Sequence, residues 1–499
     1  MISPYIKLIR MSRLVFGRPR AYPPRGAHKT RMSCSGRRPR SAGAHVRRPP
    51  PGRRVRCRPT GRRPPDSTRR SHGTGRSSDR ISTNRLVDTR VACGLPSRHR
   101  RAGRDRGGRA VEFAFSPEEE RWRQEVRDFL DAELPPDKAF NHEFVEDDEL
   151  WEFAREFTRR VGRKGWIGLT WPTEYGGLGR PLTERLIMAE EFALRDAPFV
   201  NMIGYGLAAG TLLVGGTEEQ KRRFLPEIAR FEEFWAEGLT EPGSGSDLAS
   251  LTTRAVRDGG DWLISGQKTY TTWGHRADVM YLAARTDPDA PRHRGISIFR
   301  LDLTLPGVSF SRLDNLGGGR QNHTYLDNVR VPGDMLIGEV GKGWSYIMNA
   351  FYAAGGVSAR HAELQRMLGA VLDHCKTTVR GGRPLVEDPG VRSRLAELAL
   401  MAETERLLAY ESLGDALNGR TPAFAGALGH VVHKEHQPRF AQLIGQIVGP
   451  LGQLRAGSRW AALGGDAEAW YRASYANHAG GTSQVKRMVL ATRGLGLPR

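Results

Sequence analysis

Apolar residues recur at helical spacing in two long tracts of this chain and gather into short runs between them. Trp122, Val126, Phe129 and Leu130 fall on one helical face. Ser116 as N-cap, Pro117 at the first position and Glu119 completing a capping box mark where that helix starts. The same spacing predicts helices over 182–194 and 217–229. Ahead of both, 166–180 is rich in Gly, contains Pro172 and reads as loop. Near Trp235 the pattern changes. Runs such as Trp262-Leu-Ile, Val279-Met-Tyr-Leu-Ala-Ala and Gly295-Ile-Ser-Ile-Phe-Arg, punctuated by Gly, Asp and Pro, predict a strand-rich, antiparallel insert. From Gly343 helical periods return over 364–372, 391–417 and 427–447. The order is helices, a small sheet, helices, with no internal repeat.

Composition alters this picture at one end. The chain of 499 residues carries a formal charge of +22. Residues 1–110 hold 31 Lys+Arg against 4 Asp+Glu, and the remainder is mildly acidic. That first segment is Arg-, Pro-, Gly- and Ser-rich without an apolar period, so chain entropy outweighs any burial it can offer. A nucleic-acid-binding arm, a transit peptide and upstream sequence included by an early start are three readings. No short amphipathic helix supports the second. Arg-Pro-Gly-Ser monotony is what an unselected GC-rich frame yields, so the expectation is the third, with Val111 as a natural start. The domains expected are 1–110, 111–233 (helical), 234–340 (β) and 341–499 (helical bundle).

Of four cysteines, only Cys375 lies in the globular part, which leaves no disulfide framework or zinc spacing and suits a reducing, cytoplasmic setting. No run of 18 apolar residues occurs.

Leu239-Thr-Glu-Pro-Gly-Ser-Gly-Ser-Asp247 is the most informative stretch. Without a βαβ context its glycines are no dinucleotide fingerprint. By itself it is a turn whose small residues let backbone approach a planar ring or a phosphate. Trp262-Leu-Ile-Ser-Gly-Gln-Lys-Thr-Tyr-Thr-Thr-Trp273 by itself is an aromatic strand. Together the two resemble the flavin-binding sheet of the acyl-CoA dehydrogenases. Tyr325-Leu-Asp-Asn-Val-Arg-Val-Pro332 resembles that family's domain-closing strand, and Trp171-Pro-Thr-Glu-Tyr-Gly-Gly177 its N-terminal loop. Gly481-Thr-Ser-Gln484 with Leu495-Gly-Leu-Pro-Arg499 resembles its C-terminal signature. The likeness runs in order over about 111–499.

The resemblance implies an α+β fold: an N-terminal α-domain, a middle antiparallel β-domain and a C-terminal four-helix-type bundle. It implies FAD. Leu239 and Thr240 would hold the pyrimidine edge of the ring, and Ser246 would lie near the pyrophosphate or the CoA path. Tyr270 would cover a ring face, Thr272 would hydrogen-bond near N5, and Thr482 and Gln484 would reach the adenine side. Gln446 and Gly449 look like the segment that reaches a neighbouring subunit's FAD, which implies an oligomer. No metal is implied.

The family's catalytic carboxylate has two known positions, and both lack it here. One, in a Glu-Gly-Thr loop, is Gly480. The other, in a Glu-Arg pair, falls on Ala354 and Gly355, or on Gly356 and Val357 with a shift of two. The nearest downstream acid is Glu363. The Phe of the family's Arg-x-x-Phe-Gly stretch is also missing from Thr377-Thr-Val-Arg-Gly-Gly-Arg383, and Pro450 takes a usual glycine.

The expectation is flavin-dependent α,β-dehydrogenation of an acyl-CoA, with this chain as the base-lacking subunit beside a Glu-bearing homologue in an α2β2 tetramer. Sterol side-chain or branched thioesters are the expected substrates, and an electron-transfer flavoprotein or similar protein the acceptor. A redox-silent scaffold subunit is one alternative; a nucleic-acid-associated flavoprotein, should the Arg-rich segment be native, is another. Glu241 reads as structural, His361 and His433 as surface or helix-packing residues, and Asp466 and Glu468 as a solvated face.

Overall fold

Ser116 caps the first helix as its sequence requires: its hydroxyl accepts from the Glu119 amide at 3.2 Å, and the Glu119 carboxylate accepts from the Ser116 amide at 2.7 Å. The computed structural model describes residues 115–135, 146–317, 320–355, 359–420, 422, 424–475 and 478–498, the side chains of 351–355 excepted. The Arg-rich segment, the start at Val111, and Gly356 and Val357 lie outside the described residues.

Helices α1 (Pro117–Glu133), α2 (Asp148–Arg163), α3 (Leu182–Leu194), α4 (Ala209–Gly215) and α5 (Glu218–Arg230) form the first layer. A π-turn, Ile203–Ala208, leads into α4. The α1 face that carries Trp122, Val126, Phe129 and Leu130 is buried, and Trp122 Nε1 donates to the Glu184 carbonyl of α3 at 2.8 Å. Buried Arg123 pairs with Glu190 at 3.1 Å and Glu191 at 2.9 Å.

Eight strands follow: β1 (Trp235–Gly238), β2 (Arg254–Asp258), β3 (Asp261–Lys268), β4 (Val279–Arg285), β5 (Ile296–Asp302), β6 (Val308–Asp314), β7 (Arg320–Val331) and β8 (Leu336–Ile337). Their order is β6-β7-β3-β2-β4-β5-β8, with β1 on β4. The sheet is mixed, not purely antiparallel: β1 and β2 both run parallel to β4. The β2–β3 hairpin stands between β1 and β4 in the chain, so β4 returns in the direction of β1. Gly266 marks a register shift against β7, and a Cβ there would stand 2.5 Å from Thr253 Oγ1.

The C-terminal region comprises α6 (Gly343–Gly355), α7 (Arg360–Thr377), a short hairpin of β9 (Val379–Arg380) and β10 (Arg383–Pro384), α8 (Pro389–Leu417), α9 (Ala425–Val448), α10 (Asp466–Tyr475) and α11 (Ser483–Val489). Leu398, Phe440, Leu443, Ile444 and Ile447 centre its core. His361 on α7 is no surface residue: it is 2% exposed, and its Nε2 lies 3.0 Å from Glu190, which also accepts from Tyr410 at 2.9 Å. This buried network ties the two helical regions together. Glu468 is not simply solvated either; its side chain is 13% exposed between Arg455 and Arg472. Among the described residues no helix is long and apolar enough to cross a membrane, and no cluster of metal-ligating side chains occurs.

Candidate functional site

The loop after β1 is pinned by one buried acid. The Glu241 carboxylate accepts from the amides of Thr252 (2.6 Å) and Thr253 (2.8 Å), the Thr252 hydroxyl (2.7 Å) and Lys268 Nζ (2.8 Å). Burial alone would raise its pKa, but Lys268 and the hydrogen bonds prevail and hold it at about 2. Glu241 is therefore structural, as its sequence context suggested. Lys268 Nζ also donates to the Leu239 carbonyl at 3.2 Å, and the Thr269 amide to the Thr240 carbonyl at 2.9 Å. These contacts stitch Leu239 and Thr240 to the end of β3.

Tyr270 follows with φ of +58°, a left-handed conformation rare for a bulky residue, and stays 50% exposed. Thr271 is locked beneath: its amide donates to the Asn322 carbonyl at 3.0 Å, and Asn322 Nδ2 donates to the Thr271 carbonyl at 2.9 Å. The turn thus presents the Tyr270 ring outward and leaves the Thr272 hydroxyl with a long 3.3 Å bond from Gln321. Ser246 is exposed, and a Cβ at Gly243 would meet nothing within 4 Å.

The C-terminal loop reaches this turn. The His478 ring stands edge-on to Tyr270 with centroids 6.2 Å apart. Thr482 caps α11, accepting from the Val485 amide at 3.2 Å, and Gln484 is exposed. Leu239, Thr240, Tyr270 and Thr272 therefore share one turn region, with the Thr482 loop touching it through His478. Gln446 and Gly449 do not join them. They lie at the far end of α9, where Gln446 accepts from Arg394 at 2.9 Å and Gly449 has φ of +73°.

Gly480 has φ of +69°, and a Cβ there would stand 3.4 Å from His430 Cε1. Around it are cations that the sequence reading did not single out. Arg360, first in α7, donates to His430 Nε2 at 2.7 Å, and Lys434 donates to the Ala479 carbonyl at 2.8 Å. The Lys486 side chain would lie 3.0 Å from a Cβ at Gly481. Burial first, then Arg360 and the nearby lysines, push His430 down to about 2; burial, then Arg360 and Lys486, bring Lys434 to about 8. His433 and His436 instead share Glu405, at 2.9 and 3.2 Å. His430 and Lys434, one α-turn apart, were the available sequence signal. Ala354, the second base position, lies in α6, and 351–358 contains no acid.

Glu237 on β1 was also overlooked. In register it pairs with Tyr281 of β4, whose hydroxyl meets Thr211 of α4 at 2.8 Å. Burial pushes its carboxyl up to about 7, although the side chain keeps intermediate exposure. No hydrogen-bond or ion-pair partner is seen for it among the described residues.

Three family models match in sequence: the acyl-CoA dehydrogenase N-terminal domain at 116–232, the middle domain at 236–329 and the C-terminal domain at 341–495. The chain belongs to the acyl-CoA dehydrogenase family. It is 33% identical to acyl-CoA dehydrogenase FadE26 of Mycobacterium tuberculosis over 399 residues, 78% of this chain and 99% of that protein. The crystal structure of the ChsE4-ChsE5 complex from M. tuberculosis matches with a TM-score of 0.70 at 32% identity, covering 78% of this chain and all of the matched one. The Tcur3481-Tcur3483 steroid ACAD gives the same TM-score, identity and coverage.

Acyl-CoA dehydrogenases are oxidoreductases that use FAD. The residues present fit that cofactor. An exposed aromatic ring, a weakly engaged hydroxyl at Thr272 and a small-residue loop open at Gly243 lie beside one another.

Proposed function

We propose that this chain is the base-lacking subunit of a mixed acyl-CoA dehydrogenase that oxidises an acyl-CoA thioester between its α- and β-carbons. The observation that carries the reading is Gly480: a left-handed glycine stands at the family's base position, ringed by Arg360, His430, Lys434 and Lys486. A general base needs a carboxylate within reach of the α-proton, and neither Gly480 nor Ala354 supplies one.

Leu239 and Thr240 would hold the pyrimidine edge of the cofactor, Tyr270 would cover one ring face and Thr272 would bond near N5. Ser246 lines the pyrophosphate or CoA path, and Thr482 and Gln484 meet the adenine side. Gln446 and Gly449, at the far end of α9, serve the neighbouring subunit's cofactor. FAD, when bound, would supply the acceptor for the hydride that leaves the β-carbon. The α-proton passes to a carboxylate of a Glu-bearing homologous subunit, in an α2β2 tetramer. That two solved relatives are two-protein complexes supports the arrangement. The substrate is a sterol side-chain or branched acyl-CoA, and the electrons pass on to an electron-transfer flavoprotein or similar acceptor, in the cytoplasm.

Co-expression with a Glu-bearing family member of the same organism, followed by flavin counting and turnover, tests this. Activity only in the mixed complex, abolished when the partner's Glu is replaced, is expected. Family-like turnover by this chain alone would sink it.

A second reading rests on Glu237. A carboxyl that burial pushes up to about 7 suits a base, and it lies two residues before Leu239 in the chain. Turnover by the single chain that disappears in Glu237→Gln would favour it.

A further inference from the structure

We propose that Asn322 on β7 is a positioning residue for the cofactor: it touches no cofactor itself and acts through Thr271 to set the Tyr270 ring and the Thr272 hydroxyl. This rests on the proposed function in one respect, that Tyr270 and Thr272 face the flavin. The turn that carries them is strained at both ends. Tyr270 has φ of +58° and Trp273 φ of +54°, so two bulky residues in the left-handed region bracket Thr271 and Thr272. Such a conformation persists only where its surroundings over-determine it. At the Trp273 end packing does this, with the indole against Trp151 at 5.5 Å and Phe234 at 6.0 Å between ring centroids. At the Tyr270 end the ring is half exposed, and the restraint has to come from hydrogen bonds.

Asn322 supplies them. The β3–β7 ladder ends with Lys268 opposite Thr324, and Thr271 lies beyond the end of β3. Both of its backbone groups nevertheless find β7. Its amide donates to the Asn322 carbonyl at 3.0 Å, and its carbonyl accepts from Asn322 Nδ2 at 2.9 Å. The side-chain amide thus adds the rung that strand pairing no longer provides. The Thr324 hydroxyl, two residues on, donates to the Thr271 hydroxyl at 3.1 Å.

The amide is fully buried, and its own orientation is fixed. Oδ1 accepts from Arg320 Nε at 3.2 Å, and Nδ2 also donates to His275 Nδ1 at 3.2 Å. An arginine can only donate, so the amide cannot turn over. His275 remains an acceptor, because burial first, then Arg320 and Arg276, push its pKa down to about 4. Alternation along β7 sends the neighbouring Gln321 to the other face, where it donates to the Thr272 hydroxyl at 3.3 Å. Two successive residues of β7 therefore hold two successive residues of the turn, and the shorter, buried contact is the one through Asn322.

Asn322→Asp tests the proposal, since it keeps the size of the side chain and the acceptor for Arg320 and replaces the donor to Thr271 by an oxygen. Titration of the full-length protein with FAD, alone and in its mixed complex, is expected to show binding about tenfold weaker. The reduction potential of the bound flavin is expected to shift in the same direction as in Thr272→Val, and the double variant no further than Thr272→Val alone. Asn322→Ser serves in the same cycle if Asn322→Asp does not fold. A lower melting temperature with flavin affinity and potential at wild-type values means that Asn322 only closes the sheet, and overturns the proposal; so do shifts that add in the double variant. A shift in Thr272→Val with none in Asn322→Asp removes the positioning role alone. No shift in Thr272→Val removes the flavin contact on which the proposal rests, and the proposal with it. None of these measurements needs turnover, so the base-lacking reading stands or falls separately.

Discussion

Lys268 and Glu241 meet at 2.8 Å in the interior, and the same ammonium reaches the Leu239 carbonyl at 3.2 Å. One buried ion pair thus fixes the backbone proposed to face the cofactor ring. Breaking a buried pair leaves a charge without compensation and costs about 3–5 kcal/mol. Lys268→Met is expected to lower thermal stability by that order and to reduce the flavin retained through purification. Retained flavin at wild-type stoichiometry would show that the pair does not position the loop.

Glu237 gives a pH signature. Burial holds its carboxyl at about 7 in the folded chain, above the ordinary glutamate value of 4.5, so its protonated form is favoured by folding. The stability it allows is complete below about pH 4.5 and falls as pH rises toward 7, by about 3 kcal/mol at most. Glu237→Gln should therefore melt higher than wild type above pH 7, with the gap closing below pH 4.5. A pH-independent difference would refute the assignment.

Tyr270 holds its left-handed turn with half its ring exposed. Replacing it removes little packing, so Tyr270→Ala should change the stability of the flavin-free chain by less than about 1 kcal/mol. Bound flavin should nevertheless drop clearly, as read from the visible absorbance per chain.

Restoring a carboxylate at the loop should not restore activity. Gly480→Glu places an L-residue at φ of +69°, at a cost of about 1–2 kcal/mol. Arg360 nearby would lower the new acid's pKa by about 1–3 units and weaken it as a base. A lower melting temperature and no turnover by the single chain are expected; turnover would mean that glycine alone kept the chain silent.

Local rules made much of this legible. The capping box at Ser116, the 182–194 helix and the Glu-Pro-Gly turn follow from residues within a few positions of one another, and the structure places them where the sequence did. The parallel pairing of β1 with β4 depends on a crossover of forty residues, 239–278, which alternation cannot report. Arg360, His430 and Lys486 come from three separate helices or their ends, so only packing unites them. Between a surface and a helix-packing role for His361 the sequence could not choose, because its partner, Glu190, is 171 positions away.

The π-turn at Ile203–Ala208 holds one residue more than an α-helical path would need. Losing Gly206, which borders open space, would rewind the segment by about 100°. That would swing the Thr211 hydroxyl away from Tyr281, the register partner of Glu237. A gain or loss of a single codon here thus reseats a whole helix against the sheet while every strand stays in register.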